Sequence, residues 1–279
     1  MKAQGQTASK RRGVTLLELL VVMMILSLIL TAAVKTWDVT LERGRFETTT
    51  RKLDQLTSVI VGNPNYTVSG QRVDFGYIGD MGKLPDNLKE LIVNPNPGLP
   101  ESLNPWRGPY IRATFNESPD GYRIDGWGDT ITYNKDSLFV RSFGSYAPGP
   151  IGQEHWITRS FGYEKQDLVN NTVSGQVLDI RGIPPGDTLF NNLDITVSFR
   201  GPFLGIIQNY PVVYGSNGQF TVLSVPQGNQ YRLQARYIHD YPLPVDTVYT
   251  QRYVTVYPRV GARDLQVKLD VDWEMENNP

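Results

Sequence analysis

Lys10-Arg11-Arg12-Gly13-Val14-Thr15-Leu16-Leu17-Glu18-Leu19 opens an apolar run that continues to Val34. Of the 21 residues from Val14 to Val34, only Thr15, Glu18, Ser27 and Thr31 are polar, and only Glu18 is charged. A helix rises about 1.5 Å per residue, so the run is long enough to cross a hydrocarbon layer about 30 Å thick. Basic residues precede it, and none of the first 13 residues is acidic. Positive flanks stay on the cytoplasmic side, so everything after Val34 is expected across the membrane.

Two features separate this run from a plain anchor. A carboxylate one turn into it costs about 2.5 kcal/mol or more without a partner, and ionisable groups inside membranes are functional candidates. Gly13 is the second feature: a small residue ahead of the apolar run, whereas a secretory signal is cut behind it. Cleavage between Gly13 and Val14 keeps the apolar segment in the product and creates an α-amino group four residues before Glu18. Within one helix Val14 and Glu18 are i,i+4 neighbours and can pair. In a staggered array the amine of one copy can instead meet Glu18 of the next. The plainer alternative is a single-pass anchor with an incidental glutamate.

Arg11-Arg12-Gly13-Val14-Thr15-Leu16-Leu17-Glu18-Leu19 resembles the amino-terminal motif of the type IV pilin-like proteins, which include type IV pilins and the pseudopilins of type II secretion. The resemblance implies that a prepilin peptidase cuts after Gly13, that Val14 becomes an N-methylated terminus, and that Glu18 aids subunit assembly. It also implies the partners: the peptidase, other pilin or pseudopilin subunits, an inner-membrane assembly platform and membrane lipid. The implied location is the bacterial inner membrane, crossed once, with the globular part in the periplasm until a filament forms. Two positions depart from the family pattern. Val14 stands where phenylalanine is usual, and Lys35, 21 residues later, stands where a proline is frequent.

Length and composition bound the rest. With 279 residues, one or two domains are expected beyond the anchor. Lys2, Lys10, Arg11 and Arg12 precede the cleavage point, so the remainder holds 23 basic and 28 acidic residues. That balance argues against a nucleic-acid partner. The absence of cysteine excludes a disulfide framework and a cysteine nucleophile. His155 and His239 lie far apart and outside any metal-ligand spacing. No nucleophile elbow or phosphate loop occurs, and Gly76, Gly79 and Gly82 read as turns. No enzymatic activity, cofactor or metal is expected.

The expected architecture is α+β. Residues 1–13 form a leader peptide, and residues 14–63 one long helix, transmembrane over 14–34. No proline occurs between Val14 and Pro64, and Leu53, Leu56 and Ile60 continue an apolar stripe. Residues 64–165 read as a small antiparallel sheet packed on that helix. Within them a short helix over 86–92 is capped by Asp86, and strands run from Tyr110 to Phe115, Thr130 to Asn134 and Ser137 to Phe143. Asn104 to Tyr110 and Asp125 to Asp129 resemble the tryptophan-glycine turns of major type II secretion pseudopilins. Those proteins bind calcium in a loop after the matching strand. Here that loop offers Ser145 and Glu154 but no aspartate before Asp167, so calcium is not expected. Asp125 and Asp129 read as turn residues.

From residue 166 to 279, six or seven short strands with turns between them predict an antiparallel β-sandwich. Its Ser174-Gly175-Gln176-Val177, Gly218-Gln219-Phe220 and Pro226-Gln227-Gly228 segments resemble the prealbumin-like module found behind carboxypeptidases. The expected function is a structural filament subunit. The alternative is a filament-tip adhesin or substrate-binding subunit that uses the C-terminal sandwich, which binding by that sandwich would favour.

Overall fold

A computed structural model describes residues 15–111, 118–146, 148–149, 152–186, 189–200, 205–238 and 247–274, excepting the side chains of 190 and 191. Helix α1 spans Leu16–Val61. Its residues up to Glu47 belong to one unit, and Thr48 onward belongs to a second, compact unit. In the first unit the side chains from Leu16 to Glu47 are exposed, including an apolar window long enough to cross a membrane.

From Thr48 the same helix changes character. Thr49, Leu53, Leu56 and Ile60 recur at helical spacing and are buried. Lys52 Nζ donates to the carbonyls of Gly121 and Ile124, at 2.8 and 3.0 Å. The Thr49 hydroxyl accepts from Gly126 N at 2.8 Å. The helix ends at Val61, short of the expected bound at 63, and Gly62 at the break before Asn63 and Pro64 has φ at +87°. A side chain there would strike Asp74 O and Phe75 C at 2.5 and 2.6 Å. Gly76 faces it across the junction with φ at +58°, and its missing Cβ would lie 2.5 Å from Gly62 N and Val59 O. Asp74 ties the corner, accepting from Asn63 N at 2.9 Å and Gly76 N at 3.0 Å.

A hairpin of β1 (Thr67–Val68) and β2 (Gln71–Arg72) follows, then α2 (Gly76–Met81). The glycines of α2 read as turns in the sequence. Burial of Tyr77, Ile78 and Met81 in the apolar cluster under α1 outweighs their poor helix propensity. The helix expected over 86–92 is a 3-10 turn, Leu88–Leu91, and its cap is Asn87 rather than Asp86. Asn87 accepts from Lys89 N at 3.0 Å, while Asp86 is drawn outward to Lys135 at 2.8 Å and Lys83 at 3.3 Å. Tyr110 and Ile111 lie in a bend rather than a strand, and the rest of that expected strand, 112–115, is outside the described residues. Strands β3 (Thr132–Asn134), β4 (Phe139–Ser142) and β5 (Ile157–Ser160) form an antiparallel sheet, of which the sequence indicated the first two. Ile131, Leu138, Val140 and Ile157 pack with Leu53, Leu56 and Ile60 in one cluster.

After α3 (Lys165–Val169) the chain is β-rich. The strands are β6 (Asn171–Leu178), β7 (Leu193–Arg200), β8 (Ile206–Tyr210), β9 (Val212–Tyr214), β10 (Gln219–Val225), β11 (Gly228–Ile238), β12 (Thr247–Val256) and β13 (Ala262–Lys268). They form two four-stranded sheets, β13-β6-β10-β9 and β12-β11-β7-β8. One apolar cluster draws on both, with Val173, Phe220 and Val222 from the first and Val197, Leu233 and Val254 from the second. The pairing is not wholly antiparallel: β13 runs parallel to β6. Alternating apolar and polar residues mark a strand with one buried face but carry no direction, so this pairing was beyond sequence reasoning.

Polar contacts join the two clusters within the compact unit. Buried Gln227 donates through Nε2 to Val61 O at 2.8 Å and Phe75 O at 3.2 Å. Arg72 donates to the same Val61 carbonyl at 2.8 Å. The end of α1 thus has a partner for a carbonyl that no later turn of helix can serve. Asp80 of α2 accepts from Gln230 Nε2 at 2.8 Å and from the Tyr110 hydroxyl at 2.9 Å, with Arg107 at 3.6 Å.

Burial pushes the Asp80 carboxyl up to about 6, against the opposing pull of Arg107 and its hydrogen bonds. A carboxyl whose folded value is raised binds its proton more tightly folded than unfolded. Its contribution is full below about pH 4 and is lost as pH rises through about 6. Relative to the native protein, Asp80→Asn is therefore expected to gain stability from pH 4 to pH 7, by up to about 3 kcal/mol. Denaturant melts of both proteins across that range check this; a difference that does not vary with pH would show that Asp80 titrates normally.

Candidate functional site

Gly13 and Val14, the expected cleavage and methylation positions, lie outside the described residues. Glu18 is described, on the exposed surface of the first turn of α1. Thr15 sits one residue before the helix. Its hydroxyl accepts from Glu18 N at 3.3 Å, and its carbonyl accepts from Leu19 N at 3.2 Å. A side-chain oxygen at that position satisfies one of the amide donors that a helix start leaves open. Thr15-Leu16-Leu17-Glu18 has the Thr-x-x-Glu spacing of a capping box, a signal present in the sequence and overlooked in reading it. Only the threonine half of the box is formed. Among the described residues the Glu18 carboxylate has neither a hydrogen bond nor an ion pair.

The other polar side chains of the apolar run are satisfied within the helix. Ser27 Oγ donates to Met23 O at 2.7 Å, and Thr31 Oγ1 donates to Ser27 O at 2.8 Å. Bonding of this kind to the carbonyl four residues back hides a hydroxyl from hydrocarbon. Thr36 and Thr40 repeat it, at 3.0 and 2.8 Å. Beyond the run the helix surface becomes ionic, with Arg43–Glu47 at 3.1 Å and Arg45–Glu42 at 3.0 Å. Trp37, 68% exposed, stands at the boundary next to Lys35, where an amphipathic ring and a long cationic chain suit a membrane–water interface. Among the described residues Glu18 is thus the polar side chain of the apolar run that has no hydrogen-bond or ion-pair partner, and it lies where the positive end of the helix dipole favours an anion.

Residues elsewhere that could carry chemistry have structural partners. Asp125 accepts from Trp127 N and Asp129 N, both at 2.9 Å, as expected of a turn aspartate, and its other oxygen receives the Ser142 hydroxyl at 2.5 Å. The His155 ring stacks on Tyr146 with centroids 4.5 Å apart. His239 is outside the described residues, as are 147, 150 and 151 in the loop considered for calcium. Asp179, Asp272 and Glu274 converge on the guanidinium of Arg181, at 3.4, 2.5 and 2.8 Å, so that side chain is their cation. Among the described residues no group of three or more carboxylate or histidine side chains is arranged to hold a metal ion.

Comparison with known proteins bears on the amino-terminal segment. Residues 8–34 match the family model of the prokaryotic N-terminal methylation motif, which supports a likeness to type IV pilin-like chains processed by a prepilin peptidase. The match covers 27 of the 279 residues, and it includes Gly13, Val14, Glu18 and the whole apolar run. No curated protein and no solved structure matches the chain.

Proposed function

We propose that the chain is a pilin-like subunit of a type IV pilus or type II secretion filament, cut after Gly13 by a prepilin peptidase, methylated at Val14 and assembled through α1. The observation that carries this reading is Glu18: one uncompensated carboxylate in an apolar window whose hydroxyls are all satisfied. A lone carboxylate in hydrocarbon costs about 2.5 kcal/mol or more. The α-amino group of a processed neighbour is a counter-charge of the right sign, carried four residues ahead of that neighbour's own Glu18, an offset of about 6 Å along a helix. Pairing the two favours a stagger of one copy against the next, and the exposed apolar side chains of α1 then bundle in the filament core.

In this reading the precursor waits in the bacterial inner membrane with the compact unit in the periplasm, held by lipid until an assembly platform extracts it. The role is structural rather than catalytic. The motif supports this reading because its glycine, glutamate and apolar run keep the spacing that processing and assembly require. Mass spectrometry of protein recovered from the native membrane tests it. The expected amino terminus is Val14 carrying one added methyl group. Recovery of Met1 or any part of residues 1–13 in assembled protein would end the proposal.

A further inference from the structure

The sheet β12-β11-β7-β8 gives one face to the apolar cluster, and its other face is polar, exposed along β12 and closing toward Ser198, which is buried. The register sets Tyr249, Arg236 and Asp194 in one cross-strand row, Gln251, Gln234 and Thr196 in the next, and Tyr253, Arg232 and Ser198 in the third. Tyr249 and Tyr253 stand on the edge strand β12 and are 63% and 61% exposed. Tyrosines in sheets usually pack on a cross-strand neighbour; these two leave most of their surface to solvent. Four residues along a strand separate them by about 13 Å, with Gln251 between them.

The charges on this face are unevenly matched. Arg236 is neutralised by Asp194 at 2.8 Å. Arg232 has no carboxylate partner among the described residues, and its Nε is buried without a hydrogen-bond acceptor. Arg200 lies on the same face, two residues beyond Ser198. Burial and the Arg200 guanidinium both disfavour the charge on Arg232, so an anion settling there would relieve an existing cost.

We infer that this face binds an acidic polysaccharide, with sugar rings against Tyr249 and Tyr253 and a carboxylate at Arg232. The chemistry selects this occupant. The three rows hold phenols, amides, hydroxyls and guanidinium groups, which match sugar hydroxyls and ring C–H faces, one carboxylate, Asp194, already paired with Arg236, and no aliphatic side chain that would anchor a peptide. A single unmatched guanidinium beside Arg200 suits one carboxylate spaced among neutral groups. Nucleic acid demands a cationic track for a phosphate at every nucleotide, and the chain after residue 13 has five more acidic than basic residues. The inference does not depend on Glu18 or on filament assembly.

Affinity electrophoresis of the full chain in detergent micelles tests it, with hyaluronate (whose carboxylates fall on every second sugar), neutral dextran or a twenty-residue oligothymidylate in the gel. Hyaluronate should retard the protein, and neither of the others should. Tyr249→Ala with Tyr253→Ala should weaken that retardation at least tenfold without changing the melting temperature, because both side chains are largely exposed. Arg232→Gln should weaken it to a similar degree and flatten its salt dependence; if that variant does not fold, the tyrosine pair alone decides. No retardation by hyaluronate, equal retardation by oligothymidylate or dextran, or an unaffected tyrosine double variant would each overturn the inference.

Discussion

Glu18→Ala is expected to be cleaved after Gly13 and to remain in the membrane, yet to be lost from assembled filaments. Alanine removes no part of the cleavage point and makes the apolar run more apolar, so processing and membrane residence should persist. Assembly is different. On the proposed mechanism the wild-type carboxylate and the neighbouring amine cancel each other in hydrocarbon. In the variant the amine of each incoming subunit stays charged and unpaired. Breaking one half of a buried pair costs about 3–5 kcal/mol. At about 1.4 kcal/mol per factor of ten, association at each interface weakens by roughly two to three and a half orders of magnitude. Shearing cells and comparing the filament and membrane fractions by immunoblot measures this. Glu18→Gln should behave almost as badly, because an amide does not neutralise an ammonium group. Either variant at wild-type level in sheared filaments would remove the charge pair from the mechanism.

A large loss of stability is expected from Gly76→Ala. The backbone there has φ at +58°, which costs an L-residue about 1–2 kcal/mol. The added methyl would also lie 2.5 Å from Gly62 N and Val59 O and 2.9 Å from Ile60 O. All three are backbone atoms at the end of α1, so no side chain can swing aside, and the helix end must separate from α2. The combined cost is expected at about 3 kcal/mol or more. For a unit of this size that lowers Tm by roughly 6–12 °C. Gly98→Ala is the control, since nothing lies within 4 Å of its position. Calorimetry of the two variants checks the contrast. Equal melting temperatures would mean that the junction between α1 and α2 yields easily.

That junction also shows where sequence reasoning stopped. The end of α1 was legible, because Gly62 and Pro64 break a helix by local means and Leu53, Leu56 and Ile60 carry its stripe. What Gly62 rests against was not, because Gly76 lies fourteen residues on and looks like another turn. Helix α2 was missed for the same reason: its glycines argue against a helix, and only burial of Tyr77 and Ile78 overrules them. The capping aspartate was misassigned because Asp86 and Asn87 are both good caps, and the choice depended on Lys135, about fifty residues away.

By itself the sequence determined the elements whose causes are local: the membrane-length apolar helix, the place of Glu18 in its first turn, the halt at Gly62 and the alternation that makes β7 and β11 strands. Tertiary structure alone decided the parallel pairing of β13 with β6, the grip of Gln227 and Gln230 on Val61 and Asp80, and the arrangement of Tyr249, Tyr253 and Arg232 on one open face. The physical reason is separation along the chain. Propensity, capping and periodicity act over a few residues, whereas a cross-strand row or a buried amide contact joins residues up to 166 positions apart. Such partners meet only once the core has closed.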